Sequence, residues 1–372
     1  MKILHLASFR GNWGDVISHQ GLYTILDRFY PSYTCTQLEI RKCYSNYQNN
    51  DKLVFNKALA RHINKKYDLF LVGGGGFLDF WNEDSPTGTD LRFSKEFIET
   101  LTTPTLLCSL GCITHRKTTQ LVKDKFTSFL KTILDHPYID LLLRNDGSTY
   151  ILRELIGVEI PIILDNAFFT PKTSFPSLFT KKYITLNIAH DQLLMQNQIL
   201  HKINPELFYN ELRKILTYIL TTTNYNIVFI PHILSDLTAI KKILNTLPYF
   251  DKKTRINIAP CITSKDGYEI IDSIYTHAEV NFCMRLHSNI ISLIRKAPTI
   301  GLASLDRIIY LYKSLSLNNY IKVDSSFFHK CINKLNKLHK IHLHKKEKID
   351  LHYYNYKQDT LQQYKKILKK SN

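Results

Sequence analysis

The sequence predicts an α/β protein made of two doubly wound parallel-sheet domains facing a cleft, followed by a basic helical tail. Three observations carry this. Short apolar, β-branched runs recur along most of the chain. Helix-period segments lie between many of them. A stretch with two Pro, several Ser/Thr and no period, residues 165–182 (DNAFFTPKTSFPSLFTKK), splits the alternation in two.

The strand-like runs before the break are Lys2–Phe9, Asp68–Val72, Thr105–Leu110, Ile139–Leu143 and Ile162–Leu164. After it come Tyr183–Ile188, Asn226–Pro231, Ile256–Ile258, Val280–Phe282 and Thr299–Gly301. Among the helical segments, Ser18–Phe29 places Leu22, Ile25, Leu26 and Phe29 on one face. Pro205–Leu220 does the same with Phe208, Leu212, Ile215, Leu216 and Ile219. Thr149–Ile156, Ser264–Thr276 and Asn289–Arg295 are further helices. The expected domains are therefore 1–168 and 180–326, with ligands bound outside the carboxyl ends of the strands. Residues 327–372 carry apolar positions at Ile332, Leu335, Leu338 and Ile341, then Leu361, Tyr364, Ile367 and Leu368, a spacing that suits Lys-rich amphipathic helices.

Composition narrows the class. At about 150 residues per domain, 372 residues leave room for two or three domains. An apolar content of 44% excludes wholesale disorder. The formal net charge is +17. The tail holds twelve Lys against Glu347, Asp350 and Asp359, a net of +9, so more than half of the excess sits in about an eighth of the chain. Such a balance favours anionic partners without choosing among them. Seven Cys show no CxxC pair and no metal-ligand spacing, which fits a reducing compartment. The N-terminal MKILHLASF is too short for the apolar region of a signal peptide. No apolar stretch reaches membrane-spanning length.

Four motifs follow strand ends. Gly11-Asn12-Trp13-Gly14-Asp15 allows a tight turn and close backbone approach to a ligand, with Asp15 expected to cap the next helix. Gly73-Gly74-Gly75-Gly76, with Asp79 shortly after, lacks the Lys-Ser/Thr of a P-loop. Arg144-Asn145-Asp146-Gly147-Ser148 offers a guanidinium fork for a carboxylate or phosphate, with Ser148 or Asp146 as helix cap. Arg285-Leu286-His287-Ser288 sets an anion clamp beside a group that exchanges protons near neutral pH. A structural turn or a surface arginine is the competing reading for each; isolated histidines such as His5 and His62 read as structural.

Together GNWGD, VGGGGFLD, RNDGS and CMRLHSNIISLIRKAPTIGL resemble the polysaccharide pyruvyl transferase family in order and spacing, over residues 1 to about 320. Arg285, Leu286, His287, Pro298 and Ile300 match its Arg-Leu-His, helix and Pro-Ile strand signature. PHILSD, with His232 and Asp236, is similar to its strand-end motif in the second domain. Val16-Ile17 and Cys283 depart from the family pattern, the first on the acceptor side, the second in packing. The resemblance implies a GT-B-like pair of Rossmann-like domains, the N-terminal one on the acceptor side and the C-terminal one on the donor side. It implies transfer of a pyruvyl group from phosphoenolpyruvate to a glycan or lipid-linked sugar, forming a cyclic ketal. On that reading His287 is the proton donor, His115 a second candidate, and Asp15 orients or deprotonates a sugar hydroxyl. Arg144, Arg285, Leu286 and Ser288 bind the donor. Asn12, Gly14, Gly74, Gly75 and Asp79 bind the acceptor. No metal or cofactor is required beyond the donor substrate.

Two other classes stay open. A glycosyltransferase of the same architecture would use a nucleotide-sugar, with Glu269 or Asp272 for the donor ribose, although both fit a helix surface better. A tail-based binder would use the basic charge and Tyr353, Tyr354 and Tyr356. Residues 1–326 resemble no nucleic-acid module, so nucleic acid is not an expected partner. The expected location is cytoplasmic, with peripheral contact at the inner face of the membrane through 327–372.

Overall fold

A computed structural model describes residues 1–112, 118–195, 204–324, 326–341 and 346–369. The chain divides into two compact units, one of Met1–Phe9, Leu22–Asn166 and Tyr354–Asn372, the other of Arg10–Gly21 and Ala167–Tyr353.

The first unit holds β1 (Lys2–Ala7), β2 (Thr34–Glu39), β3 (Leu69–Gly75), β4 (Thr105–Leu110), β5 (Ile139–Arg144) and β6 (Ile162–Ile163). Its helices include the later part of α1 (Trp13–Phe29), then α2 (Lys57–Lys66), α3 (Lys95–Thr100), α4 (Gln120–Leu134) and α5 (Ser148–Ile156). The strands form a parallel sheet in the order β2-β1-β3-β4-β5-β6. β3 and β4 are buried throughout, which explains their unbroken apolar runs. The glycine run is not a loop: Gly73, Gly74 and Gly75 are the last residues of β3. Helix starts follow side-chain capping rules. Asn56, Ser94 and Thr119 accept from the backbone amides of Leu59, Phe97 and Val122.

The second unit holds β7 (Tyr183–Asn187), α6 (His190–Leu194), α7 (Pro205–Thr222), β8 (Asn226–Phe229), α8 (Asp236–Leu244), α9 (Tyr249–Thr254) and β9 (Ile256–Ile258). There follow α10 (Tyr268–Thr276), β10 (Val280–Cys283), α11 (Leu286–Ile294), β11 (Thr299–Ala303), α12 (Asp306–Ser314), β12 (Tyr320–Lys322), α13 (Phe327–Ile341) and the start of α14 (Lys346–Leu368), whose residues from Tyr354 on belong to the first unit. Its sheet is also parallel, in the order β12-β11-β10-β7-β8-β9. The chain order reverses between β7 and β10, the switch point of a doubly wound sheet. The matching reversal in the first sheet lies between β1 and β3.

Each unit has its own apolar core. Leu6, Phe70, Val72, Phe97, Phe126 and Leu143 belong to the first, and Ile184, Phe208, Ile215, Phe229, Phe282 and Ile300 to the second. The basic tail is helical. The end of α14 packs into the first unit, where Tyr364 is fully buried and donates to Asn166 Oδ1 at 2.5 Å. Leu164 N donates to Thr360 Oγ1 at 3.0 Å. In the second unit Tyr353, read from sequence as a stacking residue, instead packs against Phe168 and donates to its carbonyl at 3.0 Å. Among the described residues no helix is long and apolar enough to cross a membrane.

Candidate active site

In the second unit, β7 and β10 end side by side at the point where strand order reverses, the place where such sheets present ligand-facing groups. Asn187, at the end of β7, ties this junction together. Its Oδ1 accepts from Arg285 N at 2.9 Å and from Ser288 Oγ at 3.0 Å, and its Nδ2 donates to the Ile230 carbonyl at 2.8 Å. Arg285 is the N-cap residue of α11, so Leu286, His287 and Ser288 fill the first turn. Leu286 and Ser288 face inward and hold the junction. The Ser288 hydroxyl also donates to the Arg285 carbonyl at 2.7 Å.

Arg285 is 8% exposed and meets two carboxylates. Its Nε donates to Asp236 Oδ2 at 2.9 Å and its Nη2 to Asp236 Oδ1 at 2.5 Å, a bidentate pair. Nη2 also donates to Asp191 Oδ1 at 2.6 Å. The two partners differ in setting: the Asp236 side chain is fully buried, whereas that of Asp191 is 34% exposed. Burial alone would depress the Arg285 pKa. The hydrogen bonds and charge of Asp236, with Asp191, more than offset it and hold the guanidinium charged.

Asp236 does a second task. Its Oδ2 accepts from the backbone amide of His232 at 2.9 Å. The His232 ring is wholly buried, with Nε2 2.8 Å from the Tyr275 hydroxyl. Burial, then the charges of Arg285 and His287, push its pKa well below the ordinary histidine value, so this ring is neutral. Among the described residues its Nδ1 has no hydrogen-bond partner.

The GNWGD segment belongs to this same unit. Trp13 is buried against His232, with ring centroids 4.7 Å apart, and its backbone amide donates to the His232 carbonyl at 3.0 Å. Gly11 N donates to the Thr263 carbonyl at 2.8 Å. The helix begins at Trp13, five residues before the expected start. Asp15 is therefore not the cap. Asn12 takes that place, accepting from Gly14 N at 2.9 Å, and its Nδ2 donates to Asp15 Oδ1 at 3.1 Å. Gly14 lies flat against His287: a Cβ there would stand 2.9 Å from the imidazole Cγ and 3.0 Å from its Cβ, and would collide with Nδ1. Asn12, Gly14, Asp15, Arg285 and His287 thus share one corner of the second unit.

The first unit has its own polar cluster. Arg144, at the end of β5, is 3% exposed. Its Nε donates to Asp146 Oδ2 at 2.6 Å, and Asp165 Oδ2 lies 3.5 Å from Nη1. Asp146 also holds Ser148, whose amide donates to Oδ1 at 3.2 Å, and Ser148 Oγ accepts from Cys112 N at 2.6 Å. Burial opposes the charge on Arg144; Asp146, Asp165 and Asp79 raise its pKa nonetheless. Gly111 makes room for the guanidinium, since a Cβ there would stand 2.6 Å from Nε. The Gly-rich end of β3 adjoins: Gly111 N donates to the Gly75 carbonyl at 2.8 Å, and Asp79 N to the Gly76 carbonyl at 3.2 Å. Arg144, Gly74, Gly75 and Asp79 are thus gathered in the first unit. His115 lies outside the described residues.

With this geometry in view, comparison with known proteins decides the family. The polysaccharide pyruvyl transferase family model matches residues 14–307, well over half of the chain.

The chain belongs to the polysaccharide pyruvyl transferase family.

Membership makes it a transferase of polysaccharide chemistry. No curated protein shows significant similarity to its sequence. Solved structures show the fold. A glycosyltransferase from Rickettsia africae ESF-5 is 12% identical with a TM-score of 0.58, covering 99% of this chain and 98% of its own. The S. aureus MnaA–UDP co-structure is 12% identical with a TM-score of 0.54, covering 91% of this chain and 89% of its own. At that identity the likeness speaks for the GT-B-like fold alone.

In this family member, the partners of Arg285 were not assigned roles from sequence. Asp191, Tyr275 and Asn187 lie in no motif of the sequence, and the motif with His232 and Asp236 shows no task by itself. One placement is corrected. Asp272, read as a helix-surface residue, is fully buried, and its carboxylate accepts from Arg295 Nε and Nη2, both at 2.8 Å. Among the described residues no three His, Cys, Asp or Glu side chains converge as ligands for a metal ion.

Proposed function

We propose that the protein transfers the pyruvyl group of phosphoenolpyruvate to two hydroxyls of a glycan or lipid-linked sugar, with the chemistry centred on the corner of the second unit. The observation that carries this reading is the pairing of Arg285 and His287 within one helical turn at the strand-order reversal.

Arg285 supplies the anion clamp. Asp236 fixes one edge of its guanidinium, and the partly exposed Asp191 occupies the other. The donor's carboxylate has the same planar geometry as Asp191, so it replaces that side chain on the guanidinium without uncovering a buried charge.

His287 protonates the methylene carbon of the donor, which turns CH2 into CH3 and leaves the adjacent carbon electrophilic. A sugar hydroxyl attacks that carbon and gives up its proton to Asp15 or solvent. The C–O bond to phosphate breaks, phosphate leaves with the electron pair, and the second hydroxyl closes the ketal. Two hydroxyl protons are released, one proton is taken up by carbon, and inorganic phosphate is the co-product.

The nucleotide-sugar alternative loses one of its two carboxylates, because Asp272 is buried and paired with Arg295. Purified protein incubated with phosphoenolpyruvate and a panel of glycans tests the reading. Phosphate release matched by a pyruvate ketal on the sugar is the expected result. Activity that survives in both Arg285→Ala and His287→Ala removes the role assignments.

A further inference from the structure

A groove opens on the first unit between the later part of α1 and the edge strand β2. Tyr23, Asp27, Tyr30, Tyr33, Cys35 and Gln37 line it, and its volume is about 640 Å³. That lies within the ordinary range for small-ligand sites.

The lining has a distinct chemistry. The phenol rings of Tyr23 and Tyr33 provide flat apolar surfaces, while Tyr30 is 5% exposed and its hydroxyl donates to the Leu368 carbonyl at 3.2 Å. A carboxylate and a primary amide provide acceptors and donors at the edges. No Lys, Arg or His lines the groove among the described residues, so nothing there compensates a phosphate or carboxylate. A ligand with apolar C–H faces and a rim of hydroxyls fits this lining, and a sugar ring has that form.

The polar groups are held in place. Tyr33 OH donates to Asp27 Oδ1 at 3.0 Å, and Asp27 is exposed. Gln37 Nε2 donates to the Tyr23 hydroxyl at 3.1 Å. Tyr23 OH lies 3.0 Å from His5 Nδ1, and His5 Nε2 bonds to the Gly73 carbonyl. A carbonyl accepts, so Nε2 carries the proton of that bond. The inner wall of the groove is thereby joined by hydrogen bonds to the Gly-rich end of β3. Such fixed partners lower the ordering cost of binding.

We infer that this groove is an accessory subsite for an uncharged sugar unit of the polysaccharide, separate from the unit whose hydroxyls react. The inference rests on the glycan-acceptor reading above for its ligand class, and on the groove for its location.

Saturation-transfer NMR on the full chain tests it, with neutral hexasaccharides of α- and β-linked glucan, galactan and mannan as probes. At least one should bind. The double variant Asp27→Ala/Tyr33→Ala should weaken that binding about tenfold or more, as expected for losing one or two edge contacts. His287→Ala should retain it. The single variant Gln37→Ala, at an exposed position, serves as a second probe should the double variant misfold, and it too should weaken binding. Absence of binding by every probe, or binding indifferent to the groove variants, overturns the subsite. Groove-dependent binding without any ketal formation overturns the pyruvyl reading instead and leaves the subsite standing.

Discussion

Asp236 binds the Arg285 guanidinium through both of its oxygens, at 2.9 and 2.5 Å, and with Oδ2 also accepts the backbone amide of His232. One buried carboxylate therefore sets the orientation of the proposed anion clamp and the start of the loop beneath it.

Removing that carboxylate should be costly. Asp236→Ala leaves a buried guanidinium without its main partner, a change worth about 3–5 kcal/mol in other proteins. A fall in unfolding free energy of that order by chemical denaturation is expected. Asp191→Asn should behave differently, because its partly exposed pair contributes under about 1 kcal/mol. Stability should barely change, and the KM for phosphoenolpyruvate should fall as a competing carboxylate disappears.

Gly14 has no side chain because His287 fills that space. Gly14→Ala forces the imidazole away from its position. If His287 is the proton donor, kcat should drop by about 10²–10⁴, the usual contribution of a positioned acid. The midpoint of thermal unfolding should shift little by comparison.

His232 makes a pH-dependent contribution to stability. Its folded-state pKa is depressed by burial and by the charges of Arg285 and His287, so it stays neutral in the folded chain. In the unfolded chain it protonates below about pH 6.5. The unfolded state then binds the extra proton, so stability is lost as pH falls from about 6.5 toward the lowered folded value. The slope from this residue reaches about 1.4 kcal/mol per pH unit. Unfolding free energies measured from pH 7.5 to 5 should show this fall in the wild type and a shallower one in His232→Gln.

The first unit offers a parallel test. Gly111→Ala would press a methyl group on the Arg144 guanidinium, which Asp146 and Asp165 hold in place. Displacing a buried, paired charge should cost several kcal/mol, on the order of the 3–5 quoted for broken buried pairs. Gly157→Ala is the control. It sits in open space with φ of +69°, so it should cost about 1 kcal/mol from backbone strain alone.

The sheets were legible because strands buried on both faces must be apolar along their length, as in LFLV of β3 and TLLCSL of β4. Two edge strands escaped that rule. β2 (TCTQLE) is half exposed and mixes polar with apolar residues, and β12 spans three residues. The Arg285 and His287 junction was visible as a motif, but its partners were not. Asp236 lies 49 residues from Arg285 in sequence, and Asp191 lies 94. Only the parallel pairing of β7 with β8 and β10 brings them within reach. Asp272 misled for the same reason, since Arg295, 23 residues on, is what allows a carboxylate to be buried there.

The central claim is that His287 delivers a proton to the methylene carbon of phosphoenolpyruvate while Arg285 holds the donor. The most direct measurement is NMR of the product formed from phosphoenolpyruvate and a glycan acceptor in D2O. The account predicts a ketal whose methyl group carries one deuterium, formed in step with phosphate and lost in His287→Ala. Turnover of a nucleotide-sugar with phosphoenolpyruvate left unchanged, or deuterated ketal formed equally well by His287→Ala, would contradict it.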